Sequence, residues 1–524
     1  MKNYVKDGFV LLYLCLPILI YMAMMGAYDA SMRTIIKETV FNASVLILLL
    51  SVIFSIGNKI VKIVFSIFLL FFYIILFIQI LVFYNFYNFI DNAILYTAFE
   101  TNSNEVVGFF NSYGKWYQPL LVIFYLYVAS RILFSYRFSL TKYKIATIVL
   151  CISCIAVGYK FIERSASLLT ITTYSEYQEF TTQLSKNITK KTSSHFTNVF
   201  NKEEQALYVV IVGESTSMRN MGIYGYYRDT NPELSKMKDE LYLFNDVISP
   251  RTHTILSLDR ILSLGDYKKP ENNELGTVFQ LANQAGFKTY WISNQEPLGV
   301  NETLVSLYAR AASEQHFVTN TKQSSRKLDD VLLPLLDKVI QDSQTSKKIV
   351  FLHLKGTHIF YRNSYPPSFD HFKEEPRTNF PSEEAFQTIN EYDNAVRYND
   401  YIVSLIIQQV KKQNTNSYVL YFSDHGDDVY QDYNGFGHHE GIGTDAMYQT
   451  PFIVWLSDEY KQRLNGDFNG KLERKYILED FIYSFAELSR IEFDQFQPQK
   501  SIFSNQFIYK ERFISPGVNY DERN

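Results

Sequence analysis

Side chains able to do chemistry gather at a few points in the second half of the chain. The apolar run LYVVIV (207–212) opens into Gly213-Glu214-Ser215, and SYVLYFS (417–423) opens into Asp424-His425-Gly426. A third run, KIVFLHL (348–354), leads to Gly356-Thr357-His358, and the Gly-rich stretch GFGHHEGIG carries His438 and His439. The chain has 9 His, and His358, His425, His438 and His439 all fall at these places. A carboxylate beside an imidazole just past a buried strand sends oxygen and nitrogen donors into one cleft. That donor set suits Zn²⁺ or Mn²⁺. Singly, each residue has a plainer role: a Glu after a strand caps or faces solvent, and an Asp-His pair sits on a surface. The case for a metal centre lies in their recurrence at the ends of separate strands.

Strands and helices must alternate to place those ends together. Short β-branched and aromatic runs also occur at LYLFNDVI (241–248), KTYWIS (288–293) and PFIVWL (451–456), with helical patterns at 274–285, 327–342, 384–411 and 475–489. This alternation predicts an α/β domain with a mostly parallel central sheet covered on both faces, its site in loops at the carboxyl ends of the strands. The domain is expected to span 206–524.

The first third has a different character. No charged residue occurs from Gly8 to Tyr28, from Thr39 to Asn58 or from Ile63 to Phe83. Each run is about 20 residues, enough for a helix to cross roughly 30 Å of hydrocarbon. Two shorter runs, Trp116–Ser130 and Ile145–Tyr159, end in Arg131 and Lys160, whose long side chains can snorkel to the interface. Five spans are therefore expected, at about 8–28, 39–58, 63–83, 116–134 and 145–162, forming a transmembrane domain over 1–162. A Ser-, Thr-, Lys- and Gln-rich juxtamembrane linker with some helix is expected at 163–205. Lys2, Lys6, Lys59, Lys62, Arg131, Arg137, Lys142 and Lys144 lie on one side of these spans, while the loop near 85–115 is aromatic and acidic, with Asp91, Glu100 and Glu105. The positive-inside rule then puts the N-terminus in the cytoplasm and everything after the fifth span outside.

Whole-chain averages hide this division: 524 residues, 47% hydrophobic, with a mean hydropathy of −0.10. Fifty Lys+Arg against 54 Asp+Glu leave a net charge of −4, with no basic excess for nucleic acid. Three Cys (Cys15, Cys151, Cys154) all fall in expected spans, so the exported part is expected to fold without disulfides. The Cys151/Cys154 pair reads as helix packing rather than redox chemistry.

The stretch GESTSMRNMGIYGYYRDTNPEL (213–234) resembles the signature of bacterial phosphoethanolamine transferases. Similar segments follow in order: FNDVISPRTHT (244–254), YWISNQ (290–295), GTH (356–358), EYDNAVRYND (391–400), YFSDHGDD (421–428) and GHHEG…MYQTPFIVW (437–455). The resemblance covers nearly the whole chain. It implies an inner-membrane enzyme with five spans and a periplasmic alkaline-phosphatase/sulfatase-like domain. That enzyme would move phosphoethanolamine from phosphatidylethanolamine to a lipopolysaccharide or lipooligosaccharide acceptor, a core sugar or lipid A. It would work through a covalent intermediate on threonine and release diacylglycerol.

Carried over residue by residue, the resemblance makes Glu214, Asp424 and His425 ligands of a catalytic Zn²⁺, with Mn²⁺ the lesser choice. Thr254 matches the nucleophile that faces the metal, and Thr252 is an alternative to it. His358 and His438 match residues that bind a second metal or the phosphoryl group, with His439 an alternative to His438. Asn294, in YWISNQ, is expected with these histidines in substrate binding. One departure stands out. Members acting on lipid A typically carry disulfides, one flanking the nucleophile, and here Pro250 stands in that place in a Cys-free domain. The chain is thus closer to Cys-poor members acting on core sugars. Rival readings are a phosphoglycerol transferase of the lipoteichoic-acid-synthase type and a catalytically inactive membrane-bound binding protein. A sulfatase would need a Cys or Ser in its own nucleophile motif.

Overall fold

The computed structural model describes residues 2–27, 32–55, 58–86, 90, 94–95, 98–99, 115–136, 144–162, 165–295, 304–318, 327–464, 467–515 and 517–523. The chain divides into two compact units, Met1–Gln178 and Glu179–Asn524.

In the first unit the charge-free runs are helices: α1 (Lys2–Ala27), α2 (Met32–Ser55), α3 (Lys59–Phe86), α4 (Tyr117–Ser135) and α5 (Lys144–Lys160). Four of them are long and apolar enough to cross a membrane, at Lys6–Gly26, Met32–Ser55, Lys59–Tyr84 and Tyr117–Ser135. The fifth offers a shorter apolar stretch, Val149–Lys160. The helices bury an aromatic seam: Tyr13 stacks on Tyr125 at 4.8 Å, and Tyr73 meets Tyr125 edge-on and donates its hydroxyl to the Leu14 carbonyl at 2.8 Å. Large apolar side chains such as Phe68, Phe71, Ile123 and Phe124 point outward. That surface is the reverse of a water-soluble bundle and matches a hydrocarbon surround. Most of the aromatic third loop lies outside the described residues. Helix α6 (Ala166–Ile188) follows α5.

The second unit is built on a seven-stranded sheet of β1 (Ala206–Gly213), β2 (Leu241–Leu243), β3 (Lys288–Ser293), β4 (Glu314–Phe317), β5 (Lys347–His353), β6 (Ser417–Ser423) and β7 (Phe452–Leu456), in the order β2-β7-β6-β1-β5-β3-β4. Strands β6, β1, β5, β3 and β4 run parallel, while β7 is antiparallel to β6 and to β2. Every residue of β1 and β6 is buried, as a sheet covered on both faces requires. Helices α7 (Thr254–Ile261), α8 (Val278–Gln284), α9 (Leu333–Gln341), α10 (Glu383–Lys411) and α11 (Phe481–Leu488) accompany it.

Two expectations need adjustment. The run 241–248 is not one strand: 241–243 joins the sheet edge, and Val247–Ile248 pairs with Tyr476–Ile477 instead. Strand β4 has the polar sequence EQHF, which carries none of the β-branched enrichment that marks the others.

Register sets the site. Val212 lies opposite His353, Ser293 also lies opposite His353, and Gly213 lies opposite Ser423. Glu214 and Asp424 therefore emerge side by side at the carboxyl edge, with Leu354 and Asn294 one residue back, level with Gly213. Helix α10 holds that edge in place. Ser382 caps its first turn by accepting from the Ala385 N–H, Glu383 and Glu384 sit at its positive end, and Lys411 sits at its negative end. Its buried face includes Ile389, Tyr392, Val396, Val403, Ile407 and Val410, at helical spacing. From that face the Tyr392 hydroxyl donates to the Ser215 carbonyl at 2.8 Å and accepts the Ser217 N–H at 2.9 Å.

Candidate metal and nucleophile site

Glu214, Asp424 and His425 come together at the carboxyl edge, and all three are buried. His425 Nε2 lies 3.4 Å from Glu214 Oε1 and 3.5 Å from Asp424 Oδ2. The Thr254 hydroxyl lies 3.1 Å from both Glu214 oxygens and 3.2 Å from His425 Nε2. Four donors at about 2.0–2.2 Å around a tetrahedral zinc would stand about 3.3–3.6 Å apart. The observed spacings of 3.1–3.5 Å are close to that frame.

Three further features fit a cation. Asp424 Oδ2 is buried and has no hydrogen-bond partner among the described residues, whereas Oδ1 accepts the His425 and Ser215 N–H groups. The His425 Nδ1–H faces the Gly426 carbonyl at 3.0 Å, which leaves Nε2 with its lone pair toward the cluster. Two buried carboxylates and a neutral imidazole also balance a divalent ion, and buried charge needs such balance. Burial opposes charge on His425, but Asp424 and Glu214 raise it to about 10. Burial also pushes Glu214 up, yet the bond and charge of His425, then the charge of His358 and the bond from Gln295, hold it well below the usual range. Burial and the Glu214 charge push Asp424 upward.

The surrounding backbone is shaped for this. Gly356 has φ +54°, and a Cβ there would lie 2.7 Å from the Glu214 carbonyl oxygen. A Cβ on Gly426 would lie 2.2 Å from the Ala446 carbonyl oxygen. Ser215, a non-glycine residue, is held at φ 58° and bonds Glu214 Oε1 at 2.8 Å. Thr254 begins α7, so its hydroxyl stands at the positive end of a helix. The hydroxyls of Ser249 and Ser257 both donate to the Asp424 carbonyl, tying the Thr254 segment to β6.

The remaining expected residues divide. His438 lies beside the cluster, its ring 4.2 Å from that of His425, and its Nδ1 pairs with Asp427 Oδ1 at 2.7 Å. Burial, then the charge of His425, keep His438 well below the usual imidazole range. His425, Asp427 and His438 form a second group whose ligand atoms could hold a metal. His358 is near enough for its charge to act on Glu214, and its Nδ1 faces the Ile359 carbonyl at 3.2 Å. His439 turns to the ring of Tyr433, and burial lowers it to about 3. Thr252 is buried, with its hydroxyl lacking a hydrogen-bond partner among the described residues, and is not brought to Glu214. Asn294 directs its amide to Asp329 Oδ1 at 2.9 Å, and Asp329 in turn accepts the Lys355 and Gly356 N–H groups. Asn294 thereby braces the loop under Glu214.

Sequence reasoning passed over Gln295, Asp427, Tyr361 and His253. Gln295 Nε2 donates to Glu214 Oε2 at 3.0 Å and to the Leu354 carbonyl at 2.9 Å. The Tyr361 hydroxyl donates to Asp427 Oδ2 at 2.7 Å, and the His253 ring meets His438 edge-on at 5.0 Å. Gln295 and Asp427 both stood inside motifs already singled out, one and two residues from chosen positions. Nothing in the local pattern marked Tyr361.

Comparison with known proteins follows the geometry. The sulfatase family model matches residues 206–491. Phosphoethanolamine transferase EptC of Escherichia coli K12 is 32% identical over 358 residues, 66% of this chain and 62% of the relative. The chain thus matches less than two thirds of that relative's length. The crystal structure of the C-terminal periplasmic domain of Escherichia coli EptC in complex with Zn has a TM-score of 0.59 at 32% identity, covering 62% of this chain and 96% of that one. The integral membrane lipooligosaccharide phosphoethanolamine transferase A of Neisseria meningitidis has a TM-score of 0.69 at 19% identity, covering 94% and 97%. At that identity it speaks to the fold, helices and α/β unit together.

Proposed function

The chain belongs to the sulfatase family, and from that premise we propose that it transfers phosphoethanolamine from phosphatidylethanolamine to a lipopolysaccharide or lipooligosaccharide acceptor. In this reading the apolar helices anchor it in the bacterial inner membrane with the N-terminus in the cytoplasm, the α/β unit works in the periplasm, and the acceptor is a core sugar or lipid A. The observation that carries the reading is the Thr254 hydroxyl, held at 3.1–3.2 Å by Glu214 and His425 at the start of a helix. The names of the relatives and the Zn in the related crystal structure support it.

Glu214, Asp424, His425 and Thr254 would hold the metal. Bound zinc supplies positive charge that makes a neighbouring hydroxyl a better nucleophile and offsets charge on phosphoryl oxygens. The Thr254 Oγ1 gives its proton to water and attacks phosphorus, and the bond from phosphorus to the glycerol oxygen breaks with its electron pair. The departing oxygen takes a proton from water and leaves as diacylglycerol. Thr254 keeps the phosphoethanolamine group as an ester. An acceptor hydroxyl or phosphate then displaces Thr254 in a second step, giving ping-pong kinetics. His438, with Nδ1 fixed on Asp427, presents Nε2 to accept the incoming hydroxyl's proton. His358 and the start of α7 stabilise charge on the oxygens in flight.

The test uses full-length protein in detergent with tail-labelled phosphatidylethanolamine and phosphatidylglycerol in parallel. Labelled diacylglycerol released from the first alone, and lost in Thr254→Ala, is the expected result. Release from phosphatidylglycerol would assign the protein to phosphoglycerol transfer instead.

A further inference from the structure

We infer that Glu440 is a positioning residue that clamps the segment carrying Thr254 to the loop carrying His438. For what Thr254 does, the inference rests on the function proposed above; for the clamp itself, it rests on geometry. Residues 249–253 form an irregular segment between a short strand and α7. Its two flanks are pinned by Ser249 and Ser257, whose hydroxyls donate to the Asp424 carbonyl. Its middle is held from the other side of the site. The Thr252 N–H donates to Glu440 Oε1 at 3.2 Å, and Glu440 Oε2 lies 3.6 Å from Arg251 Nη1. One residue on, the His253 ring packs edge-on against His438 at 5.0 Å.

Glu440 comes from a fixed turn, since the Ile442 and Gly443 N–H groups both bond the His439 carbonyl and Arg523 bonds the Gly443 carbonyl. The Arg251 contact is long, and a pair like that holds little by itself. The hydrogen bond to the Thr252 N–H does the holding, and Arg251 orients the carboxylate that makes it. The second unit has no cysteine, so no covalent link fixes this segment. Glu440 makes the metal-side threonine and the His438 loop one piece. The consequence is catalytic, because a shift of about 1 Å in a reacting atom costs on the order of 100-fold in rate.

Full-length Glu440→Ala and Glu440→Gln variants in detergent test this. Glu440→Ala is expected to lower kcat for diacylglycerol release from phosphatidylethanolamine about 10–100-fold, with KM and zinc content unchanged. It is also expected to speed amide hydrogen exchange across 249–254 by about tenfold or more. Glu440→Gln keeps the acceptor oxygen and is expected to stay within about threefold of the native protein on both measures. An Ala variant with native kcat and native exchange overturns the clamp, and so does a Gln variant as impaired as Ala. A native protein that releases no diacylglycerol would remove the functional reading instead. The exchange comparison then decides the clamp alone: faster exchange in Ala supports it and unchanged exchange overturns it.

Discussion

Thr254 is placed by three atoms, the two oxygens of Glu214 and Nε2 of His425, all within 3.2 Å. Thr254→Ala removes the proposed nucleophile while leaving Glu214, Asp424 and His425, the other three proposed metal ligands. Zinc binding should persist and phosphoethanolamine transfer should fall by about 1,000-fold or more, measured by diacylglycerol release beside metal content. Asp424→Asn removes the charge of a proposed ligand whose Oδ2 is buried with no hydrogen-bond partner among the described residues. Zinc affinity should drop by about 100-fold or more in chelator competition, with the fold intact by circular dichroism. Of the proposed ligands, Glu214 and Asp424 were legible in the sequence because each directly follows a buried strand. Asn294 and Gln295 show where legibility ends. Both leave the same strand, and only the turn after Ser293 decides which amide reaches Glu214 and which reaches Asp329.

At the scale of elements, strand register and α10 carry the site. The strongest buried ion pair on α10 joins Asp393 to Arg228 at 2.8 Å, with both side chains nearly inaccessible. Arg228→Ala leaves a buried carboxylate that, among the described residues, Asn220 and Tyr226 still bond, and should cost about 3–5 kcal/mol in denaturant unfolding. Asp400, also on α10, accepts the N–H groups of Glu233 and Leu234. Burial nevertheless raises it to about 7, from an ordinary value of 3.8. The folded state therefore binds this proton more tightly than the unfolded one. The stability it contributes is whole below about pH 4 and is lost as pH rises toward 7. Thermal unfolding across that window should show a smaller loss in Asp400→Asn than in the native protein. Six of the seven sheet strands were readable from apolar runs. Strand β4, EQHF, was not, because its place at the sheet edge is set by pairing with β3 rather than by its own residues.

For the whole molecule, composition misleads and distribution informs. A mean hydropathy of −0.10 describes neither the apolar helices nor the α/β unit. In a background with Cys15, Cys151 and Cys154 replaced by alanine, Lys412→Cys adds one exposed thiol on the second unit. A membrane-impermeant maleimide applied to cells with a permeabilised outer membrane should label it. Protection until the inner membrane is lysed would reverse the proposed orientation.

The central claim is that Thr254 carries the phosphoryl group between donor and acceptor. The measurement that bears on it most directly is the mass of the full-length, zinc-loaded protein after incubation with phosphatidylethanolamine and no acceptor, followed by peptide mapping. The account predicts a gain of one phosphoethanolamine group, located on Thr254 and matched by an equal amount of diacylglycerol. Diacylglycerol released with no adduct at Thr254, or released as well by Thr254→Ala, would contradict it.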